Sequence, residues 1–269
     1  MAERLKELGA DVKFSTTVKK ILVEGGYTKA VVTDTGEEFR GRVVISNVNA
    51  IDTLTRLIDD TAINAEYQKK FATMEKSVSA FTLYLGLDVS AKSLGMLAPV
   101  LSVNPAYDHD EGFRRCLDGE YGHCNFALVD HSQLDPDLAP QGKSALSLMT
   151  FARFADWQAL TQATYAARKK EVTQALISNL DKYLPGISAH IEYVEAATPK
   201  TMARYATLPE GAVYGFSQSV AQSSINRLPQ KTKIRNLLLS GAWTTPGCGV
   251  HGCFVSGVDA ADAALKLLK

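Results

Sequence analysis

Apolar positions along this chain recur with two periods, one of two residues and one of three to four, and their succession predicts short strands interspersed with helices. Met1 to Leu8 has helical spacing, with Leu5 and Leu8 facing inward and Gly9 as the stop. Strand-like runs follow at Asp11–Phe14, Val18–Glu24 and Ala30–Thr33, the last two joined by a turn at Gly25-Gly26. A second turn, Asp34-Thr35-Gly36, leads through Glu37–Arg40 to Val43-Val44-Ile45, which is apolar enough for a buried strand. Asn49 then stands where it can cap a helix running through Leu57.

From there the texture changes. Ala65–Met74 reads as a helix, and Ser79–Leu87 as a strand with Phe81, Leu83 and Leu85 on one face. Ala98–Val103, Asn125–Val129, Ala145–Thr150 and Ile191–Val194 are further strands, with a loop at His131–Gly142. Tyr165–Tyr183 is a strong helix whose stripe is Val172, Leu176, Leu180 and Leu184, closed by Pro185-Gly186. Thr198-Pro199 has the form of an N-cap and first helical position. Arg204 to Pro229 is loop-rich and concentrates Tyr205, Tyr214 and Phe216, which line a pocket or, more commonly in such segments, plug a core.

The last stretch, Asn236 to Lys269, opens with Leu237-Leu238-Leu239, enough for a short buried strand. A loop with Gly241, Gly247, Gly249 and Gly252 follows. From about Cys253 the pattern is helical, with Phe254, Val258, Ala261, Leu265 and Leu268 as the inward face. A second ridge, Ser256-Gly257, Ala260-Ala261 and Ala264, carries only small side chains and would allow close packing. Strand, glycine loop and helix present free N–H groups at a helix N-terminus, which suits a phosphate, a carboxylate or the electron-rich edge of a flavin. A tight strand-to-helix connection with no ligand has the same pattern.

Composition narrows the function classes. The 269 residues suffice for one large domain or two small ones. Lys plus Arg and Asp plus Glu number 29 each, so nothing suggests a nucleic-acid partner, which normally leaves a basic excess. No apolar run approaches the roughly 18 residues of a membrane span. The N-terminus lacks the apolar core of a signal peptide. Four cysteines in so long a chain do not suggest a disulfide scaffold, and a cytoplasmic, reduced setting is the simplest reading.

Three kinds of chemistry are weighed against the motifs. His109, Cys116, His123, Cys124 and His131 share one stretch, and Cys248, His251 and Cys253 another, but neither has paired metal-ligand spacing, so no metal is expected. Gly215-Phe-Ser217-Gln-Ser219 lacks the second glycine of a hydrolase nucleophile elbow. Gly247-Cys-Gly249-Val-His-Gly252 fits GxGxxG, yet it lies at the wrong end of the chain for a dinucleotide-binding βαβ unit, with no acidic residue about 20 positions on.

Four segments carry a family resemblance. They are Leu5-Lys-Glu-Leu-Gly-Ala-Asp-Val-Lys-Phe-Ser-Thr-Thr-Val18 through to Val43-Val-Ile-Ser-Asn47; Ser79-Ala-Phe-Thr-Leu-Tyr-Leu-Gly-Leu-Asp88; Leu138-Ala-Pro-Gln-Gly-Lys143; and Ala197-Thr-Pro-Lys-Thr-Met-Ala-Arg-Tyr205 with Pro209-Glu-Gly-Ala-Val-Tyr-Gly-Phe216, Gly241-Ala-Trp-Thr-Thr-Pro-Gly247 and Ser256-Gly257. In this order the chain resembles the C-terminal half to two-thirds of the phytoene desaturase and carotenoid isomerase-like FAD-dependent oxidoreductases, a branch of the amine-oxidase flavoprotein superfamily.

The resemblance implies an α+β fragment of a two-domain flavoenzyme. Residues 1–49 and 231–269 would belong to the FAD domain, and 50–230 to a substrate domain with a mixed or antiparallel sheet and an apolar tunnel. Val18 would meet the adenine end of FAD, and Asn47 would lie near the cofactor. Gly241, Ala242, Pro246, Gly247, Gly249, Val250, His251 and Gly252 would sit against the ribityl chain and isoalloxazine, with His251 a contact and no catalytic residue assigned. Desaturation, saturation or isomerisation of a carotenoid-, retinoid- or isoprenoid-like molecule follows by analogy. Two departures stand out: Ala242 replaces an Asp found in many relatives, and the N-terminal GxGxxG segment that holds the FAD pyrophosphate is missing. Alone, the chain would therefore bind FAD weakly or not at all. Peripheral membrane contact would fit a lipid substrate, although no strongly amphipathic basic helix supports it. The alternatives are an amine or small-molecule oxidase on the same scaffold, or a non-enzymatic module for an apolar ligand or partner.

Overall fold

The Gly25-Gly26 hairpin organises the first part of the computed structural model, which describes residues 2–269. α1 (Ala2–Glu7) stops at Gly9, where φ is +77°. Leu5 and Leu8 are 47% and 67% exposed, so the inward face expected of this helix is absent. The Met1 end of that expectation lies outside the described residues. The strand expected at 11–14 is also absent, and Phe14 is exposed. A strand exists only through a ladder, and the β1–β2 ladder ends at the pair Val18 and Thr33 without reaching these residues.

β1 (Val18–Glu24), β2 (Tyr27–Thr33) and β3 (Glu38–Arg40) form an antiparallel sheet in that order. β4 (Val44–Ser46) leaves it for a different partner near the C-terminus. α2 (Ala50–Asp52) is capped as expected: the Asn49 side chain accepts the Asp52 N–H at 2.7 Å, and the helix continues as a π-turn over Thr53–Leu57. α3 (Thr61–Ala72) starts at Asp60, whose carboxylate accepts from Ala62 and Ile63 N–H.

The chain divides into two compact units, 1–75 with 214–269, and 76–213. The second unit is one five-stranded sheet with helices packed on it, the longest being Gln162–Asp181. Its strands are β5 (Ser79–Leu87), β6 (Val100–Val103), then, after α4 (His109–Leu117), β7 (Phe126–Asp130) and β8 (Ser144–Ala152). α5 (Ala155–Gln158) and α6 (Gln162–Asp181) precede β9 (Ile191–Ala197), and α7 (Pro199–Tyr205) closes the unit. The sheet is antiparallel with order β6-β7-β8-β5-β9. Leu128, Leu148, Leu83 and Ala196 form one cross-sheet row, and α6 lays Val172, Leu176 and Leu180 on that face. Each such leucine contributes about 1.5–3 kcal/mol on leaving water. The opposite face carries Thr82, Met149 and Ala127 in the next row, with Tyr84, Ser147 and Val129 beyond, and is only half covered. α7 begins at a capping box between Thr198 and Thr201. α4 has no apolar run to announce it; Asp108 caps it, and only Gly112 and Cys116 of its nine residues are buried.

The chain returns to the first unit through a loop-rich segment to β10 (Leu237–Leu239) and α8 (Gly249–Leu268). The α+β class and antiparallel sheets agree with the sequence reading. α8 differs from it in two respects. It begins at Gly249, not near Cys253, and its buried face is Gly252, Ser256, Ala260 and Ala264. Phe254, Val258 and Leu265, expected inside, are exposed. Small residues at every fourth position let the backbone come close to β10, and that ridge wins over the bulkier stripe.

Candidate functional site

The site is built where two strands from opposite ends of the sequence lie side by side. β10 pairs in parallel with β4, Leu239 facing Ser46, and Ser240 donates its N–H to the Ser46 carbonyl at 2.9 Å. Asn47 and Gly241 therefore emerge together: a Cβ on Gly241 would stand 2.9 Å from Asn47 Oδ1. Of the site residues expected from sequence, Asn47 is thus brought beside the C-terminal loop from nearly 200 residues away in the chain. Val18 starts β1 in the same unit, and no described strand pairing or hydrogen bond joins it to the loop.

The loop from Gly241 to Cys248 is fixed from three sides. From α8, the buried Ser256 hydroxyl accepts the Gly241 N–H at 3.0 Å and shares a 2.7 Å hydrogen bond with Thr244 Oγ1. From the helix start, Gly252 lies so close under the loop that a Cβ would meet the Gly247 carbonyl oxygen at 2.9 Å. From the 214–229 segment, Phe216 is fully buried and meets the Trp243 ring edge-on at 4.9 Å, so this aromatic plugs the core. Ala242 is half-buried and Pro246 exposed.

α8 opens with a strand-like Cys248 that supplies no side-chain cap. The first-turn N–H groups of a helix have no intrahelical partner, and partial positive charge collects there. Gly249, Val250 and His251 are exposed on this turn. Gly249 has φ +83°, and a Cβ built on it meets no atom of the chain within 4 Å. The backbone here is open to a flat group laid against the helix start.

Sequence reasoning missed Arg227. Its Nε donates to the Thr244 carbonyl at 3.1 Å, Nη1 to Phe216 at 3.1 Å, and Nη2 to Tyr214 at 3.0 Å and to Ala242. This one side chain joins the aromatic segment to the glycine loop. Burial lowers its pKa, opposed by the neighbouring Cys248 and Cys253. Burial raises that of Cys253, as does Cys248, against the Arg227 charge. Nothing in Asn226-Arg227-Leu228 distinguishes this arginine from a surface one, because its partners are all backbone groups.

The second unit holds a cleft of about 630 Å³ beside α7, lined by Tyr84, Tyr165, Lys169, Glu195, Arg204 and Tyr205 among others. Lys169 and Glu195 pair at 2.6 Å.

Against known proteins, a family model described as flavin containing amine oxidoreductase matches residues 1–265. The chain belongs to that family. Over 259 residues it is 26% identical to a chloroplastic prolycopene isomerase of Arabidopsis thaliana, covering 96% of this chain and 42% of the isomerase. It is 28% identical to a 4,4'-diapophytoene desaturase of Methylomonas, covering 95% of this chain and 49% of the desaturase. The chain therefore spans about half the length of these relatives or less. Among solved structures, an oxidoreductase from Methanosarcina mazei shares the fold with a TM-score of 0.63 at 16% identity, over 97% of this chain and 52% of that one.

Proposed function

We propose that this chain is the C-terminal part of an FAD-dependent oxidoreductase acting on carotenoid-, retinoid- or isoprenoid-like apolar molecules by desaturation, saturation or isomerisation. The observation that carries the reading is the open, left-handed Gly249 at the start of α8, the helix whose Ser256 holds the Gly241 strand end next to Asn47, in a chain whose relatives include a carotenoid isomerase and a desaturase. The residues fit a flavin. Gly249 leaves backbone where a ring can approach, while the buried Gly247 and Gly252 let the loop pack closely on the helix start; Asn47 offers an exposed amide at the strand end; and Gly241, Ala242 and Pro246 belong to the same loop. Val250 and His251 flank the exposed first turn. In this proposal Val18 meets the adenine end.

FAD, when bound, supplies the hydride or electron transfer. The chain's own residues set the conditions for it. First-turn N–H groups of α8 favour negative charge on whatever faces them. Gly249 admits the ring, Gly247 and Gly252 hold the loop tight against the helix start, and Ser256 keeps helix and strand end in register. We assign the FAD domain to residues 1–49 and 231–269, the substrate domain to 50–230, and the pyrophosphate seat to a segment outside this chain. The half-covered sheet face with Met149, Val129 and Tyr84 supports an apolar substrate. The four cysteines are free thiols, which suits the cytoplasm, and uptake from a lipid surface would make the protein membrane-peripheral. No described helix is long and apolar enough to cross a membrane.

The test is to express the chain with and without the gene segment preceding it. The longer protein is expected to purify with flavin, and the chain alone to quench little added FAD. If neither form takes flavin while the chain binds a polyene, the protein is an apolar-ligand module and the oxidoreductase reading is wrong.

A further inference from the structure

Arg227 is 2% exposed, yet its hydrogen bonds run to four backbone carbonyls and to no carboxylate among the described residues. Carbonyl dipoles satisfy guanidinium N–H groups but carry no net charge, so the positive charge stays uncompensated. Burying a cation without a counter-ion is costly, and a hydrophobic side chain of similar volume would avoid that cost. The position of the charge is informative. A Cβ on Gly247 would lie 3.5 Å from Arg227 Nε, so the guanidinium sits directly beneath the glycine loop. Its field reaches the first turns of α8, where it favours the thiolate of Cys253 against burial. The helix start adds partial charge of the same sign.

The geometry points to Arg227 as a positioning residue that holds positive potential under the glycine loop, so that the loop favours an occupant with negative charge on the edge it presents to Gly249. The chemical class is a planar ring system whose reduced form is anionic. This rests on the flavin reading for the identity of the ring, and not for the potential itself. The plain alternative is that Arg227 is only a staple joining Tyr214 and Phe216 to Ala242 and Thr244. A staple depends on the planar fork, and both Lys and Gln would break it. A potential depends on charge, which Lys keeps and Gln loses.

The experiment uses the chain alone, without flavin. Cys248 and Cys253 are half-exposed, whereas Cys116 and Cys124 are fully buried, so the first two can serve as reporters read separately by peptide mass spectrometry. Each thiolate displaces iodide from anionic iodoacetate or from neutral iodoacetamide. A positive potential speeds the anionic reagent relative to the neutral one. The rate ratio at Cys253, compared with free cysteine, is expected to rise about three-fold at low ionic strength and to fall with added salt. Arg227→Lys should keep the higher ratio and Arg227→Gln should lose it. A wild-type ratio no higher than that of free cysteine overturns the proposal. So does an equal response of the Lys and Gln variants, whether both fall or neither does. If Arg227→Gln fails to fold, Arg227→Met serves as the uncharged variant, and a ratio there equal to that of wild type overturns the proposal, because the helix start would then supply the potential by itself. In the longer protein, the flavin reduction potential should fall in Arg227→Gln and hold in Arg227→Lys. A wild-type longer protein without flavin would sink the functional reading but leave the thiol result standing.

Discussion

Ser256 on α8 accepts the backbone N–H of Gly241 at 3.0 Å, and this bond joins the helix to the end of the strand it covers. Both groups are buried, and the same hydroxyl shares a hydrogen bond with Thr244. Ser256→Ala would strip the acceptor from a buried N–H while leaving Thr244 its bond to the Gly241 carbonyl at 3.1 Å. The unmet N–H costs about 1–3 kcal/mol, and the better helix propensity of Ala returns a few tenths. Urea unfolding should show a clear drop in midpoint with unchanged slope. An unchanged midpoint would mean that water replaces the hydroxyl and that the helix is seated by its small ridge alone.

Ser79–Leu87 sets Phe81, Leu83 and Leu85 against Thr82 and Tyr84, its boundaries emerge as expected, and the stripe Val172, Leu176, Leu180 of α6 is buried as its spacing requires. Local periodicity suffices where one element faces one core. It fails for α8, which has two apolar faces. Choosing between Phe254-Val258-Leu265 and Gly252-Ser256-Ala260-Ala264 needs the distance to β10, a tertiary quantity. It fails again for Asp11–Phe14, whose alternation has no ladder partner. The glycines of the site were legible because positive φ and close approach restrict residue type. Arg227 was not, because backbone carbonyls leave no signature in the sequence.

Gly249 and Gly252 should fail for different reasons when given a side chain. Gly249→Ala meets nothing in the chain within 4 Å but must hold φ +83°, a strain of about 1–2 kcal/mol. Gly252→Ala has no such backbone problem but drives a Cβ to 2.9 Å from the Gly247 carbonyl oxygen, so the loop must lift. Thermal melts should show both losses. In the longer protein, Gly249→Val should release flavin, and intact flavin content would place the ring elsewhere.

Phe216 and Trp243 form an edge-to-face pair at 4.9 Å and 83°, with the Phe71 ring 5.5 Å from that of Phe216. Phe216→Ala should cost about 3–5 kcal/mol, because a fully buried ring leaves a cavity. A double-mutant cycle with Trp243→Leu should return a coupling of about 0.5–1.5 kcal/mol. Trp243 is itself nearly buried, so its fluorescence should shift to the red when Phe216 is removed. A coupling near zero would reduce the pair to independent space-filling.

Asp52 supplies a pH dependence whose sign is fixed by its neighbours. Burial pushes its carboxyl up, but hydrogen bonds from Arg56 Nε at 3.1 Å and Asn49 Nδ2 at 2.8 Å, with the Arg56 charge, outweigh it and hold the pKa below the ordinary value. A carboxyl that is more acidic folded than unfolded stabilises the fold once pH exceeds its unfolded pKa of about 3.9, and the contribution disappears as pH falls through the folded value. Arg56 is half-exposed, so the pair is worth only about 0.5 kcal/mol. Asp52→Asn should therefore be slightly less stable than wild type at neutral pH, with the gap closing in acid. Urea titrations of both proteins at neutral pH and below pH 3.9 or so would show it. A gap that persists or widens in acid would mean that Asp52 acts through its cap geometry with Asn49 and not through its charge.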